Sequence, residues 1–265
     1  MIETMHRNVC AIMHNIVVFF IIIRTAMKNQ DLKTCNLGRI NMKFKSIESA
    51  KDPLFREALK LYDAKLDIGL NEDSTIFKRS IENNKTKNDY AFVVGIENNH
   101  VISLATAHYE ATTNVAFLIY LIAQDGSKHD ELISLTLEEV EKQLNRLSHE
   151  VHHRDINFIM LEVPREPSPA HIDAKQENIL EHRRQFLFEN GFKKQEEIDY
   201  IHPNYNIMET SQRVDLFIKA NIDLTKDIYG TSVKSNYILK YVFANGISRD
   251  IIYPLLEEMN LKKPL

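Results

Sequence analysis

Glycine is scarce in this chain of 265 residues: seven in all, at Gly38, Gly69, Gly95, Gly126, Gly191, Gly230 and Gly246. No two stand close enough for a dinucleotide fingerprint, a Walker A loop or a nucleophile elbow, so those three enzyme classes are disfavoured. Cysteine is scarcer, with only Cys10 and Cys35. Everything after Asn36 therefore lacks a disulfide, a thiolate nucleophile and a Cys-based zinc site. A reducing cytosolic setting is the easiest fit, although the absence of cysteine permits any compartment. Charge of one sign is also missing. With 33 Lys plus Arg against 37 Asp plus Glu, the net charge is −4 and the pI about 6.3, which gives no electrostatic argument for nucleic acid.

One apolar run stands out. Val9 to Ile23 is broken only by His14 and Asn15. It is shorter than the roughly 20 residues a membrane-spanning helix needs, and no small-x-small cleavage site follows it closely. It fits a short signal-anchor, an internally packed element, or a segment outside the working protein with Met27 or Met42 as the start. The last agrees with both cysteines and the odd hydrophobicity ending together. The expected organisation is an N-terminal extension over 1–41, a domain over 42–220 and a C-terminal helical segment over 221–265. The expected localisation is cytoplasmic, with membrane tethering by residues 9–23 as the alternative.

From Met42 the pattern alternates between strand and helix, which predicts an α/β class. MKFKSIES reads as a half-exposed strand. Pro53 opens a helix carrying Leu54, Phe55, Ala58, Leu59, Leu61 and Tyr62 at helical spacing. Tyr90–Ile96 and His100–Tyr109 read as strands joined at Asn98-Asn99, because asparagine tolerates positive φ. Val115–Ala123 is apolar throughout and predicts a central strand covered on both faces. A loop over Gln124–Lys128 precedes a helix from about Asp130 to His149, where Asp130 is the expected cap. Ile156–Val163 reads as a further central strand, and Ala174–Asn190 as a helix that Gly191 caps. Phe192–Ile201 and Arg213–Ala220 read as the last strands, with Leu239–Phe243 and Ile251–Met259 as closing helical material.

This order, together with RRQFLFENGFKK (Arg183 to Lys194) and Tyr200-Ile201-His202-Pro203, resembles the GNAT N-acetyltransferase superfamily. The resemblance covers roughly Met42 to Ala220. It implies a mixed, mostly antiparallel sheet of six to seven strands flanked by helices, and acetyl-CoA as co-substrate. It also implies transfer of an acetyl group to a primary amine of a small molecule or peptide, by direct attack. YLIAQDGSKHDELISLTLEE (Tyr120 to Glu139) lies where the family places its acetyl-CoA loop, so Ile122, Ala123, Ser127, Lys128, His129 and Asp130 are the implied cofactor-binding residues. The family's arginine falls on Lys128, its two loop glycines on Glu131 and Ile133, its usual tyrosine on Leu187 and a frequent strand carboxylate on Ile119. Those departures leave a catalytically silent GNAT-fold binding module as the alternative. Glu162 and Tyr120 are the candidate catalytic residues, as base and hydroxyl acid, with Tyr109 a second source of a hydroxyl. An outward-turned Glu131 is compatible with cofactor binding; one that fills the phosphate site is not.

His149-Glu150-Val151-His152-His153 matches H-E-x-x-H, a zinc-hydrolase pattern. It sits at a charged helix end with no third ligand in view, so no metal is expected. The Pro-rich stretch Pro164 to Asp173 reads as an insertion overhanging the acceptor side, or as a solvated loop. A small-molecule or peptide amine is the expected partner, without nucleic acid. Membrane contact depends on the N-terminal extension, and a homodimer stays open.

Overall fold

The structure is a computed structural model that describes residues 42–65, 75–82, 90–165, 174–203 and 211–261, all within one unit, Met42–Leu265. The apolar run at 9–23 and most of the Pro-rich insertion lie outside the described residues. Among the described residues no helix is long and apolar enough to cross a membrane.

Eight strands form the sheet: β1 Lys43–Ser46, β2 Tyr90–Glu97, β3 His100–Glu110, β4 Val115–Ala123, β5 Phe158–Pro164, β6 Lys193–Gln195, β7 Ile201–His202 and β8 Gln212–Ala220. They run in the order β1-β2-β3-β4-β5-β8-β6, with β7 also paired to β8. Every pairing is antiparallel except β4 with β5. The sixth strand expected over Phe192–Ile201 is in fact two short pieces, because the polar run Glu196-Glu197 interrupts the apolar alternation. Asn98 and Asn99 close the β2–β3 hairpin at φ 51° and 66°, the primed-turn geometry that asparagine accepts. Gly95 pairs with Phe44 of β1, and a Cβ there would press on Ser103 Oγ and on Met42 Sδ at 2.7 Å.

The helices are α1 Pro53–Asp63, α2 Thr75–Ile81, α3 His129–His152, α4 Ala174–Glu189, α5 Lys226–Tyr237 and α6 Arg249–Glu258, with a π-helical segment, Ile238–Ala244, between α5 and α6. α1 starts where Asp52 accepts from Leu54 N at 3.0 Å, with Pro53 supplying a pre-set φ, and it buries Phe55, Ala58 and Tyr62. α4 ends at Gly191, φ 85°, where Phe192 N donates to Leu187 O at 2.9 Å. α3 and α4 cover one face of the sheet through Leu137, Val140, Leu144 and Leu187. α1 and α2 cover the other face over β2–β4, and α5, the π segment and α6 cover it over β5 and β8. Helix α5 falls within the helical segment expected over 221–265, and α2 just before the polar stretch that starts at Asn83; both are short of apolar periodicity, so their bounds depend on tertiary packing.

Candidate functional site: a cleft where two parallel strands part

β4 and β5 pair over only three residues, Val115 with Phe158 to Phe117 with Met160. Beyond that point each strand continues without the other. The cause is local: the β3 register steps from Tyr120 to Leu118, so Ile119 is an extra residue in β4. Such a bulge bends its strand and increases the twist. Gln124 N bonds Ile102 O at 2.9 Å, and the two-residue period of a strand then turns Ile122 and Tyr120 toward β3. Leu121 and Ala123 consequently present their N–H and C=O groups to the parted side. The expected double covering of β4 therefore holds only for its first half; Ile119 to Ile122 are half-exposed on a cleft of about 820 Å³.

Three walls meet at this cleft. β4 contributes Phe117 to Ala123, α4 contributes His182, Arg183, Phe186 and Leu187, and the floor holds Glu162 and Lys240. The loop end is formed by Asp125, His129, Asp130 and Ile133, with Tyr62 and Lys65 from the end of α1 opposite. Of the cofactor-binding residues that the resemblance implied, Ile122, Ala123, His129 and Asp130 line the cleft, while Ser127 and Lys128 do not. Lys128 instead takes the cap position of α3, without a side-chain cap bond. That displaces Asp130 from its expected capping role into the first turn, where its carboxylate lies 3.4 Å from His182 Nε2. Glu131 is exposed and outside the cleft, so its charge is kept away from a ligand there.

Both candidate catalytic residues line the cleft. Tyr62 donates to the Tyr120 hydroxyl at 3.1 Å, within an aromatic group that includes Phe77. Tyr109 does not join them: it is buried under α3, donates to Asn114 Oδ1 at 2.8 Å, and burial raises its pKa. Glu162 is almost entirely buried, its side chain 3% exposed, and has three partners. His202 Nδ1 lies 2.8 Å and Lys240 Nζ 2.9 Å from Oε2, and the Tyr241 hydroxyl donates to Oε1. Burial alone would raise this carboxyl, but the charge of Lys240 together with His202 and Tyr241 outweighs it and holds Glu162 well below the usual carboxylate range. The π segment makes this possible. Its extra residue per turn, closed by Asn245 N on Lys240 O at 3.0 Å, turns Lys240 and Tyr241 inward together. Lys240 Nζ also sits over the Phe117 and Tyr241 rings, 4.6 and 4.8 Å from their centroids.

Lys240, Arg183 and Tyr62 also line the cleft, although the sequence singled out none of them as a site residue. The signal for Lys240 was present: a lysine beside Tyr241 on the stripe Tyr237, Tyr241, Ala244 has to find a buried partner. The H-E-x-x-H match comes apart in three dimensions. His149 Nε2 bonds Asp155 Oδ1 at 2.7 Å, His152 Nε2 lies 2.6 Å from Ala111 O, and His153 lies past the helix end at φ 55°. Arg165, at the edge of the insertion, pairs with Asp199 at 2.6 Å rather than with Glu162.

A mixed sheet that parts between its fourth and fifth strands, with a helix crossing between them, is the fold of the GNAT acetyltransferases. A chain from Bacteroides thetaiotaomicron assigned to that family superposes with a TM-score of 0.55 at 15% identity, over 78% of this chain and 99% of its own. A probable acetyltransferase from Staphylococcus epidermidis aligns at 0.48 and 10% identity, over 68% and 99%. The PaiA N-acetyltransferase of Thermoplasma acidophilum, solved with coenzyme A, aligns at 0.40 and 18%, over 68% and 99%. The fold assignment rests on the first. No family model matches the sequence, and no curated protein does.

Proposed function

We propose that this chain is an acyl-CoA-dependent N-acyltransferase that moves an acetyl group to a primary amine of a small molecule or peptide. The observation that carries the reading is the open β4 edge: Leu121 and Ala123 offer unpaired backbone donors and acceptors along a cleft with room for an extended, amide-bearing chain. The pantetheine arm of acyl-CoA has that chemistry and would lie along β4 as an added strand. Bound there, acyl-CoA supplies an activated acyl thioester; the protein supplies position and proton control.

Tyr120 is the group to protonate the leaving thiolate, because its hydroxyl lies on the cleft and is positioned by the bond from Tyr62. Glu162 is a fixed charge rather than a mobile base. A carboxylate held well below its usual range takes a proton poorly at neutral pH, so the acceptor amine gives its proton to water in the cleft. Transfer is direct, since no cysteine follows Cys35 to carry an acyl group. One observation favours the second reading, a silent binding module: Leu187, 2% exposed, closes the wall where the resemblance implies a tyrosine. Thiol release from acetyl-CoA, measured with a panel of primary amines for the native chain and Tyr120→Phe, separates the two. Amine-dependent release that falls in the variant supports transfer. Binding of acetyl-CoA with no release under any amine leaves the silent module.

A further inference from the structure

Among the described residues, the basic side chains around the cleft have partners, with one exception. Lys65 pairs with Asp125, His182 with Asp130 at 3.4 Å and Lys240 with Glu162 at 2.9 Å. His129 Nδ1 lies 3.0 Å from Gln124 O. Arg183 lines the same cleft, half-buried on α4, and among the described residues nothing forms a hydrogen bond or ion pair with it. The next residue deepens the imbalance. Arg184 spends its charge on Asp215 Oδ2 at 2.9 Å and on Pro164 O at 2.7 Å, and it repels Arg183. Burial, then Arg184, push the Arg183 pKa down, against a small pull from Tyr120. A guanidinium withdrawn from water with no counter-charge is unfavourable in the empty chain, and an anion in the cleft removes the penalty.

We propose that Arg183 is the anion receptor of the cleft, taking an oxyanion of the CoA-type ligand in the fork of its guanidinium. The planar donors suit a phosphate of the carrier and a carboxylate at the end of an acyl chain equally well. The inference builds on the acyl-CoA reading and goes beyond it. It moves the anchoring charge from the β4–α3 loop, where Lys128 was expected to supply it, to the middle of α4. It also opens the cleft to dicarboxylic acyl groups.

The test uses the full chain and Arg183→Met, with four probes: sodium pyrophosphate, acetyl-CoA, succinyl-CoA and S-acetylpantetheine. Calorimetry reads affinity and a melting curve reads the unliganded protein. A lost charge-assisted bond predicts at least about tenfold weaker binding of the anion that Arg183 holds. A phosphate contact weakens pyrophosphate and both CoA esters while leaving S-acetylpantetheine unchanged. A carboxylate contact weakens succinyl-CoA alone. In either case the unliganded variant melts at or above the native temperature, since an unpaired charge has been removed. Equal affinities for every probe that binds, or a variant that melts lower as loss of a structural arginine would cause, overturn the proposal. A native chain that binds pyrophosphate through Arg183 but no CoA ester keeps the receptor and sinks the transferase reading. A native chain that binds none of the probes sinks both.

Discussion

Lys240→Met is the perturbation that probes the cleft floor most sharply. Methionine keeps an unbranched, mostly apolar side chain, while the ammonium that sits over the Phe117 and Tyr241 rings and opposite Glu162 disappears. Removing one partner of a buried ion pair costs about 3–5 kcal/mol, because it strands the other charge. Glu162 keeps His202 and Tyr241, which places the expected loss at the lower end, about 3 kcal/mol. For a protein of this size that corresponds to a fall in Tm of roughly 6–12 °C. The acid side gives an independent check. Glu162 lies below its ordinary 4.5 in the native chain, so the unfolded chain takes up this proton first as pH falls. Its contribution is complete above about pH 5 and shrinks as the pH drops through the unfolded value toward the lower native one. In Lys240→Met the native value rises, and the acid-side loss from this group becomes smaller. Urea midpoints by circular dichroism at pH 7 and pH 3.5 read both effects. Glu162→Gln with Lys240→Met should recover part of the loss. A variant within about 1 kcal/mol of the native chain at pH 7, with an unchanged acid slope, refutes the buried pair as drawn.

Tyr120→Phe should lower thioester turnover at least about tenfold while costing about 1 kcal/mol of stability, read by thiol release and urea melts. Gly95→Ala should destabilise by about 1–3 kcal/mol, because its Cβ presses on Met42 Sδ at 2.7 Å and on Ser103; an unchanged urea midpoint refutes the packing argument. Asn114 holds φ 56° while its side chain accepts from Tyr109 and Ser148 and donates to Asp155 O at 3.0 Å. Asn114→Ala should therefore cost more than about 2 kcal/mol by the same measurement. Lys128→Ala should leave acetyl-CoA affinity within about twofold, since Lys128 lies outside the cleft.

The scaffold was legible where period and punctuation agree. Val115–Ala123 reads as a strand from its unbroken apolar run, and α1, α4 and the Asn98-Asn99 turn follow from Asp52-Pro53, Gly191 and the asparagines. Tyr120, Glu162, Ile122, Ala123, His129 and Asp130 all line the cleft, and their roles there belong to the proposal above. What stayed hidden depends on long-range geometry. Nothing local to LEVPRE says that Glu162 meets a lysine 78 residues on. Nothing in RRQF says that Arg184 finds a carboxylate while Arg183, among the described residues, does not. An ungapped alignment also cannot see that α3 begins at His129, which puts Lys128 at the helix cap and outside the cleft lining.

The most direct test of the central claim is a calorimetric titration of acetyl-CoA into the full chain and into Leu121→Pro. Proline at 121 deletes an N–H that faces the open edge together with the Leu121 side chain at the margin of the core; β4 keeps its bonds to β3, and far-UV circular dichroism will report that the fold survives. Micromolar binding to the native chain that weakens at least about tenfold in the folded variant is the predicted result. No heat at millimolar acetyl-CoA, or equal affinity in both proteins, contradicts the account.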